Sequence, residues 1–324
     1  MLTAIAAILA GFILLTWSAD RFVAGAAATA SNFNISPMLI GLTVVSVGTS
    51  APEILVSLMA ASQDHVGLAV GNAIGSNIAN IGLVLGITAL IAPLPVKAAL
   101  AQKEIPLLVI ITVATGICLG NGYLGLLDSL VLLTGLIITL YLMVRWQKQH
   151  PNEPLFHEES AEDEIQQLSP GKSWLYLGSG LLLLLGSSQL LVWGATDVAR
   201  MLGVSELMIG LTIVAIGTSL PELAASITSA LKGHSDIALG NVVGSNIFNL
   251  LAVLSMPGLV APGELDDQQV IWRDYPVMLG LTLLIALICW LGSRKGQHRN
   301  LGRRAGSLLL GCYCLYGLML FLQN

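Results

Sequence analysis

Two glutamates, Glu53 and Glu222, stand 169 residues apart in one repeated string, Gly48-Thr49-Ser50-Ala51-Pro52-Glu53 and Gly217-Thr218-Ser219-Leu220-Pro221-Glu222. Each lies inside a long apolar segment, where a carboxylate is costly unless it faces a partner or a water-filled path. Proline has no N–H and clashes with the carbonyl four residues back. Pro52 and Pro221 therefore free the carbonyls of Gly48 and Gly217 and distort the turns holding Thr49 and Thr218. Backbone oxygens released in this way become cation ligands where they line a cavity. Thr49, Glu53 and Ser57 share one helix face by i, i+4, i+8 spacing, as do Thr218, Glu222 and Ser226. Two carboxylates and two threonine carbonyls make a flexible oxygen cage of about six donors, which suits Ca²⁺ better than the strictly octahedral Mg²⁺. No His or Cys lies at this depth, which argues against Zn²⁺ and Cu⁺. Na⁺ also takes oxygen ligands, and protons neutralise the same carboxylates, so these residues alone leave the counter-ion open.

The string belongs to a longer duplication. Gly41–Ile87 and Gly210–Met256 align without a gap, 22 of 47 positions being identical. After each glutamate comes a second motif, Gly71-Asn72-Ala73-Ile74-Gly75-Ser76-Asn77 with Asn80, and Gly240-Asn241-Val242-Val243-Gly244-Ser245-Asn246 with Asn249. Asn72, Ser76 and Asn80 share a helix face. The Gly71/Gly75 and Gly240/Gly244 pairs are expected to let a neighbouring helix approach closely. His65 and His234 are also duplicated and read as interfacial residues at span ends. Asp20, whose twin is Gln189, reads as buried against Arg21 or facing an aqueous vestibule.

The elements that must hold these groups are helices in a bilayer. The 324 residues are 55% hydrophobic and 10% charged, with mean hydropathy +0.82, and apolar runs long enough to cross a membrane recur from end to end. The expected fold is an all-α polytopic membrane protein with ten transmembrane helices, at roughly 2–30, 37–62, 67–92, 103–120, 125–146, 173–202, 206–231, 236–261, 274–292 and 304–322. Ser36-Pro37 and Ser205-Glu206 read as helix starts; Pro93 and Pro95, and Pro262-Gly263, read as stops. The first stretch, with Asp20-Arg21 and no basic leader, reads as a retained helix and not a cleaved signal. An odd number of spans per copy places the second copy upside down. The predicted architecture is thus two inverted five-helix repeats, 1–146 and 173–324, joined by an acidic linker at 147–172. On this reading Thr49 and Thr218 lie roughly 18 Å deep from opposite faces, close to the midplane of a ~30 Å core.

Loop charges set the orientation. With both termini outside, Lys97, Lys103, Arg145, Lys148, Lys172, Lys232, Arg294, Lys295, Arg299, Arg303 and Arg304 face the cytoplasm, against Arg200 and Arg273 outside, as the positive-inside rule requires. The linker 147–172 is then cytoplasmic. Short loops fit a bacterial inner (plasma) membrane. Cys118, Cys289, Cys312 and Cys314 lie in or near spans without metal or disulfide spacing and read as packing residues. The five histidines fall in loops or at span ends. No serine is thereby given a base at depth, and an enzyme is not expected. No cofactor, nucleic acid or obligate protein partner is implied; the expected partners are cations and the lipid bilayer.

With GTSAPE followed by GNAIGSNIAN, and GTSLPE followed by GNVVGSNIFN, the chain resembles the cation/calcium antiporter superfamily, and within it the microbial sodium/calcium exchanger-like proteins. The resemblance runs over nearly the whole chain. It implies ten helices in two inverted halves and alternating access by sliding of the first and sixth helices over a fixed core. It implies a central calcium site at Glu53, Glu222, Thr49 and Thr218, with Ser50, Ser219, Ser76, Ser245, Asn80 and Asn249 lining flanking sodium sites. Sodium-coupled members often carry an aspartate where this chain has Asn249. The function implied first is Na⁺/Ca²⁺ antiport, Ca²⁺ and Na⁺ competing for the same glutamates; Ca²⁺/H⁺ or other cation/H⁺ exchange is the alternative.

Overall fold

The computed structural model describes residues 1–149, 168–204, 213, 215–265, 268–293 and 300–323. The described residues are almost entirely helical. Among the described residues, eight helices are long and apolar enough to cross a membrane: α1 Leu2–Asn32, α4 Val66–Ile91, α5 Leu100–Leu119, α6 Leu126–Trp146, α7 Pro170–Met201, α10 Ser235–Val260, α11 Val270–Leu291 and α12 Arg303–Gln323. A ninth is counted if α2 Pro37–Thr49 and α3 Ala51–Ser62, bent by 45°, form one span. The predicted span 206–231 is represented by α8 Ala215–Thr218 and α9 Leu220–Leu231. Its first part, with the expected start at Ser205-Glu206, lies outside the described residues, as does most of the predicted linker.

Local chemistry accounts for the helix ends. Ser36 caps α2, its hydroxyl accepting from the Leu39 amide at 3.2 Å, with Pro37 in the first turn. α4 stops at Ile91, two residues before Pro93, and α10 stops at Val260, two before Pro262. Two short antiparallel strand pairs tie helix ends together, Leu94–Pro95 with Asn300–Leu301 and Tyr123–Leu124 with Gly263–Glu264.

The chain forms two compact units, each drawing on both ends of the sequence: Met1–Thr49 with Asn152–Asn241, and Ser50–Pro151 with Val242–Asn324. In the first unit α1 and α7 run antiparallel at close range because small residues line the seam. A Cβ on Gly25 would fall 2.3 Å from the Leu177 nitrogen. Gly11 meets Leu191 and Gly180 meets Phe22, which is one contact repeated with the helices exchanged. Ser18 and Ser187, twins at the 169-residue offset, lie 3.5 Å apart on the same seam. Phe22, Ala26, Leu184, Ile40, Val45 and Ile237 close the core beneath. Gly41 and Gly240 also touch: a Cβ on Gly240 would fall 2.7 Å from the Met38 oxygen.

In the second unit the buried side chains of Ile74, Ile78, Ile81 and Leu85 make α4 a core helix. Its tail passes α12 at Gly86 and Gly306, where backbones nearly touch. Outward-facing Leu127, Val131 and Ile138 of α6, with Ile110 and Ile117 of α5, are exposed, as lipid-facing positions must be. The expectation for the first GxxxG is corrected here. A Cβ on Gly71 would meet nothing nearer than Val270 Cγ2 at 3.9 Å, and one on Gly75 nothing within 4 Å. Cys314 is exposed and does not pack.

Candidate cation site

Each glutamate follows a break in its helix. In copy one α2 ends at Thr49, Ser50 takes φ −81° and ψ 8°, and α3 restarts at Ala51. In copy two α8 ends at Thr218, Ser219 takes φ −88° and ψ 2°, and α9 restarts at Leu220. Pro52 and Pro221 fall in the first turn of the new helix, where their missing N–H is no loss. Glu53 and Glu222 fall in the same turn, where the helix dipole favours negative charge. Both are buried, at 1% and 0% exposure, so an ionised carboxylate there requires compensation by cations or hydrogen bonds.

Each break is held by an amide 19 residues further on. In the second unit Asn72 Nδ2 donates to the Glu53 carbonyl at 3.1 Å and to Ser57 Oγ at 3.0 Å. In the first unit Asn241 Nδ2 donates to the Glu222 carbonyl at 3.3 Å and to Ser226 Oγ at 2.9 Å. Thr49 Oγ1 donates to Asn241 Oδ1 at 3.0 Å. Asn72 and Asn241, with Ser57 and Ser226, are absent from the ligand set implied by sequence. The constant 19-residue spacing from glutamate to asparagine in both copies is the signal that finds them.

Of the ten expected site residues, Thr49, Thr218, Ser219 and Glu222 belong to the first unit and Ser50, Glu53, Ser76, Asn80, Ser245 and Asn249 to the second. All are buried except Thr218, which is half-buried. Asn80 and Asn249 each open a π-helical turn, Asn80–Leu85 and Asn249–Val253, a backbone irregularity frequent at functional sites. Both amide groups, the Asn246 amide, Ser245 Oγ and Ser219 Oγ are buried without a hydrogen-bond partner among the described residues. Such groups are expensive unless water or an ion meets them.

Around the end of α9 the copies differ. Asp20 does not pair with Arg21; its Oδ1 lies 2.6 Å from Lys232 Nζ. Arg21 instead lies over the rings of Trp17 and Tyr176, at 4.3 and 5.0 Å. In the loop after α9, His234 is buried. Burial, then the Lys232 charge, push its pKa down to about 4. Its twin His65 is exposed.

Residues 3–145 and 172–322 match the family described as sodium/calcium exchanger protein. The chain is 48% identical to CaxA of Alkalimonas amylolytica, over 99% of both chains. It is 40% identical to the inner membrane protein YrbG of Escherichia coli K12, over 99% of this chain and 98% of that one. A solved structure of the sodium-calcium exchanger NCX_Mj superposes with TM-score 0.81 at 34% identity, covering 97% of this chain and 98% of the other. A membrane-spanning helical fold with carboxylates buried at helix breaks marks a candidate ion pathway, and the family match makes the class that of the antiporters. The chain belongs to the sodium/calcium exchanger protein family, as an integral membrane protein and a cation/Ca²⁺ antiporter.

Proposed function

We propose that this antiporter exchanges Ca²⁺ for Na⁺ by alternating access. Glu53 and Glu222 are its ion-binding carboxylates, near the membrane midplane, and Thr49 and Thr218 supply carbonyl ligands. Ser50, Ser219, Ser76, Ser245, Asn80 and Asn249 serve the sodium ions. The observation that carries the reading is the matched pair of buried glutamates, each in the first turn after a proline-induced break with its own carbonyl held by an asparagine amide. The buried, unpartnered amides of Asn80 and Asn249 fit a role in meeting a dehydrated cation. The likeness to the sodium-calcium exchanger NCX_Mj supports sodium as the counter-ion.

The architecture belongs to the same proposal: ten transmembrane helices in two inverted repeats, 1–146 and 173–324, with a cytoplasmic linker 147–172 and both termini outside, in a bacterial inner membrane. The antiparallel seam of α1 and α7, in which twin contacts recur with the helices exchanged, supports the inversion. The ion pair between Asp20 and Lys232 sets the middle of α1 against the end of α9. YrbG carries the name of an inner membrane protein.

One observation favours exchange against protons as the second reading. Asn80 and Asn249 are both neutral amides, which leaves Glu53 and Glu222 as the carboxylates of the set, and two protons neutralise them as fully as two sodium ions. Purified protein in liposomes, loaded with ⁴⁵Ca²⁺ and given Na⁺, H⁺ or K⁺ gradients in turn, separates the readings. The expected result is flux driven by Na⁺. Flux that follows pH and ignores Na⁺ moves the assignment to proton exchange; flux under no gradient removes both.

A further inference from the structure

The helix α7 carries a buried hydroxyl at a point where the duplication lapses. Ser188 is the twin of Ala19 at the 169-residue offset. Its Oγ donates to the Gly217 carbonyl at 3.0 Å, and both residues are buried. In an α-helix that carbonyl takes its proton from the amide four residues on, but residue 221 is proline and has none. The hydroxyl of a neighbouring helix thus fills the place of a missing backbone donor. The carbonyl it fills belongs to the residue directly before Thr218 and Ser219, in the turn that leads into Glu222.

Copy one has the same backbone defect with a different answer. Pro52 leaves Gly48 in the same position, yet the residue equivalent to Ser188 is Ala19, which offers a methyl group. What lies against Gly48 is the apolar side chain of Leu181, at 2.9 Å from a Cβ built there.

We infer that Ser188 is a positioning residue for the exchange reaction. Its hydroxyl fixes the Gly217–Ser219 turn and so sets the orientation of Glu222 and Thr218 toward the transported cation. This rests on the reading of Glu222 as a cation ligand. The bond also joins α7 to the ion-binding turn of copy two, so that turn responds to displacement of α7. No hydroxyl at the equivalent position serves copy one.

The test compares Ser188→Ala, Ser188→Thr and Ser188→Val with wild type, by equilibrium ⁴⁵Ca²⁺ binding to purified protein and by the concentration dependence of Ca²⁺ exchange in liposomes. Ser188→Ala is expected to raise the half-saturating Ca²⁺ concentration about tenfold, the effect of stranding one buried carbonyl. Its maximal rate stays within twofold. Ser188→Thr keeps the hydroxyl and restores the wild-type value, whereas its isostere Ser188→Val does not. If the alanine variant fails to insert, the contrast between the Thr and Val variants decides the question. Ser187→Ala, which removes a hydroxyl of the same helix bonded to Leu184 O, leaves the value unchanged. Equal half-saturation in wild type and Ser188→Ala, or equal impairment in the Thr and Val variants, overturns the inference. Wild type that binds Ca²⁺ but exchanges it against no gradient overturns the exchanger reading instead, and wild type that binds none overturns both.

Discussion

Helix 51–62 and helix 220–231 are the same device placed in different surroundings. Both start after a serine at the break, carry proline then glutamate in their first turn, and have the glutamate carbonyl and a serine one turn on held by one asparagine. Their four clamp distances agree to a few tenths of an ångström. Their neighbours do not. Within the second unit, helix 51–62 packs on the stretch Asn249–Val260. Within the first, helix 220–231 packs on α1, with Lys232 bonded to Asp20 and the preceding turn bonded to Ser188. The twins of those three anchors, Gln63, Gln189 and Ala19, carry neither charge nor hydroxyl. The difference teaches that the clamp geometry is written inside each motif, whereas the attachment of each motif to the fold is written in flanking sequence that has been free to diverge. Equal clamps are thus carried on unequal supports.

If the motifs are equal as ligands, losing either should be equally fatal. Glu53→Gln and Glu222→Gln are each expected to lower Ca²⁺ exchange at least about a hundredfold, the order of removing one buried charge partner. Expression and insertion should be intact. ⁴⁵Ca²⁺ flux in liposomes measures it; near-normal flux in one variant alone would break the equivalence. The clamps come next. Asn72→Ala and Asn241→Ala each remove two clamp hydrogen bonds, about 0.5–1.5 kcal/mol apiece, so Ca²⁺ affinity should fall by roughly ten- to a hundredfold. The loss should be greater for Asn241→Ala, because Asn241 also accepts from Thr49. A titration of binding ranks the two, and the reverse order would deny Thr49 its part in the clamp.

Much of this device is legible in the chain. The prolines predict the breaks, the 3.6-residue period puts threonine, glutamate and serine on one face, and apolar run lengths locate the helices to within a few residues. Ser36 caps its helix as the motif predicts. What the chain hides is long-range. The spacing of Asn72 and Ser57 says which face they occupy but not that they bond each other. Proximity in sequence pairs Asp20 with its neighbour Arg21, yet the α1 helix turns Arg21 toward Trp17 and leaves Asp20 to Lys232, over two hundred residues away. Ser188 escapes notice because identity between the copies fades there and a serine in an apolar helix has no period of its own. GxxxG suggests close contact in both copies, but small residues permit approach and do not compel it; whether a partner arrives depends on the other helix.

That last point gives a stability contrast between identical substitutions. Gly240→Ala would push a methyl to 2.7 Å from the Met38 oxygen and 2.9 Å from the Leu42 nitrogen, both backbone atoms that cannot swing aside. Gly71→Ala meets only Val270 Cγ2 at 3.9 Å, an ordinary contact. Overpacking of a tight seam costs about 1–3 kcal/mol, so Gly240→Ala should lower the unfolding midpoint in lipid nanodiscs by several degrees. Gly71→Ala should leave it unchanged or slightly raised through better helix propensity. Equal effects would mean that the seam at Gly240 relaxes, and that the two copies are packed more alike than the contacts say.

The smallest effect belongs to the ion pair. Asp20 and Lys232 are 54% and 26% exposed, and a solvated pair is worth about 0–1 kcal/mol. Asp20→Gln and Lys232→Gln put at each position the side chain that its twin in the other copy already carries, Gln189 and Gln63. Each should shift the unfolding midpoint little, and a double-mutant cycle should return a coupling below about 1 kcal/mol. The sign of a deviation is informative. Lipid offers no water to replace a lost partner, so a pair lying within the hydrocarbon would couple at several kcal/mol. A large coupling would place the end of α9 inside the bilayer. A small one keeps it at the aqueous boundary, where a lysine at a span end is expected to sit.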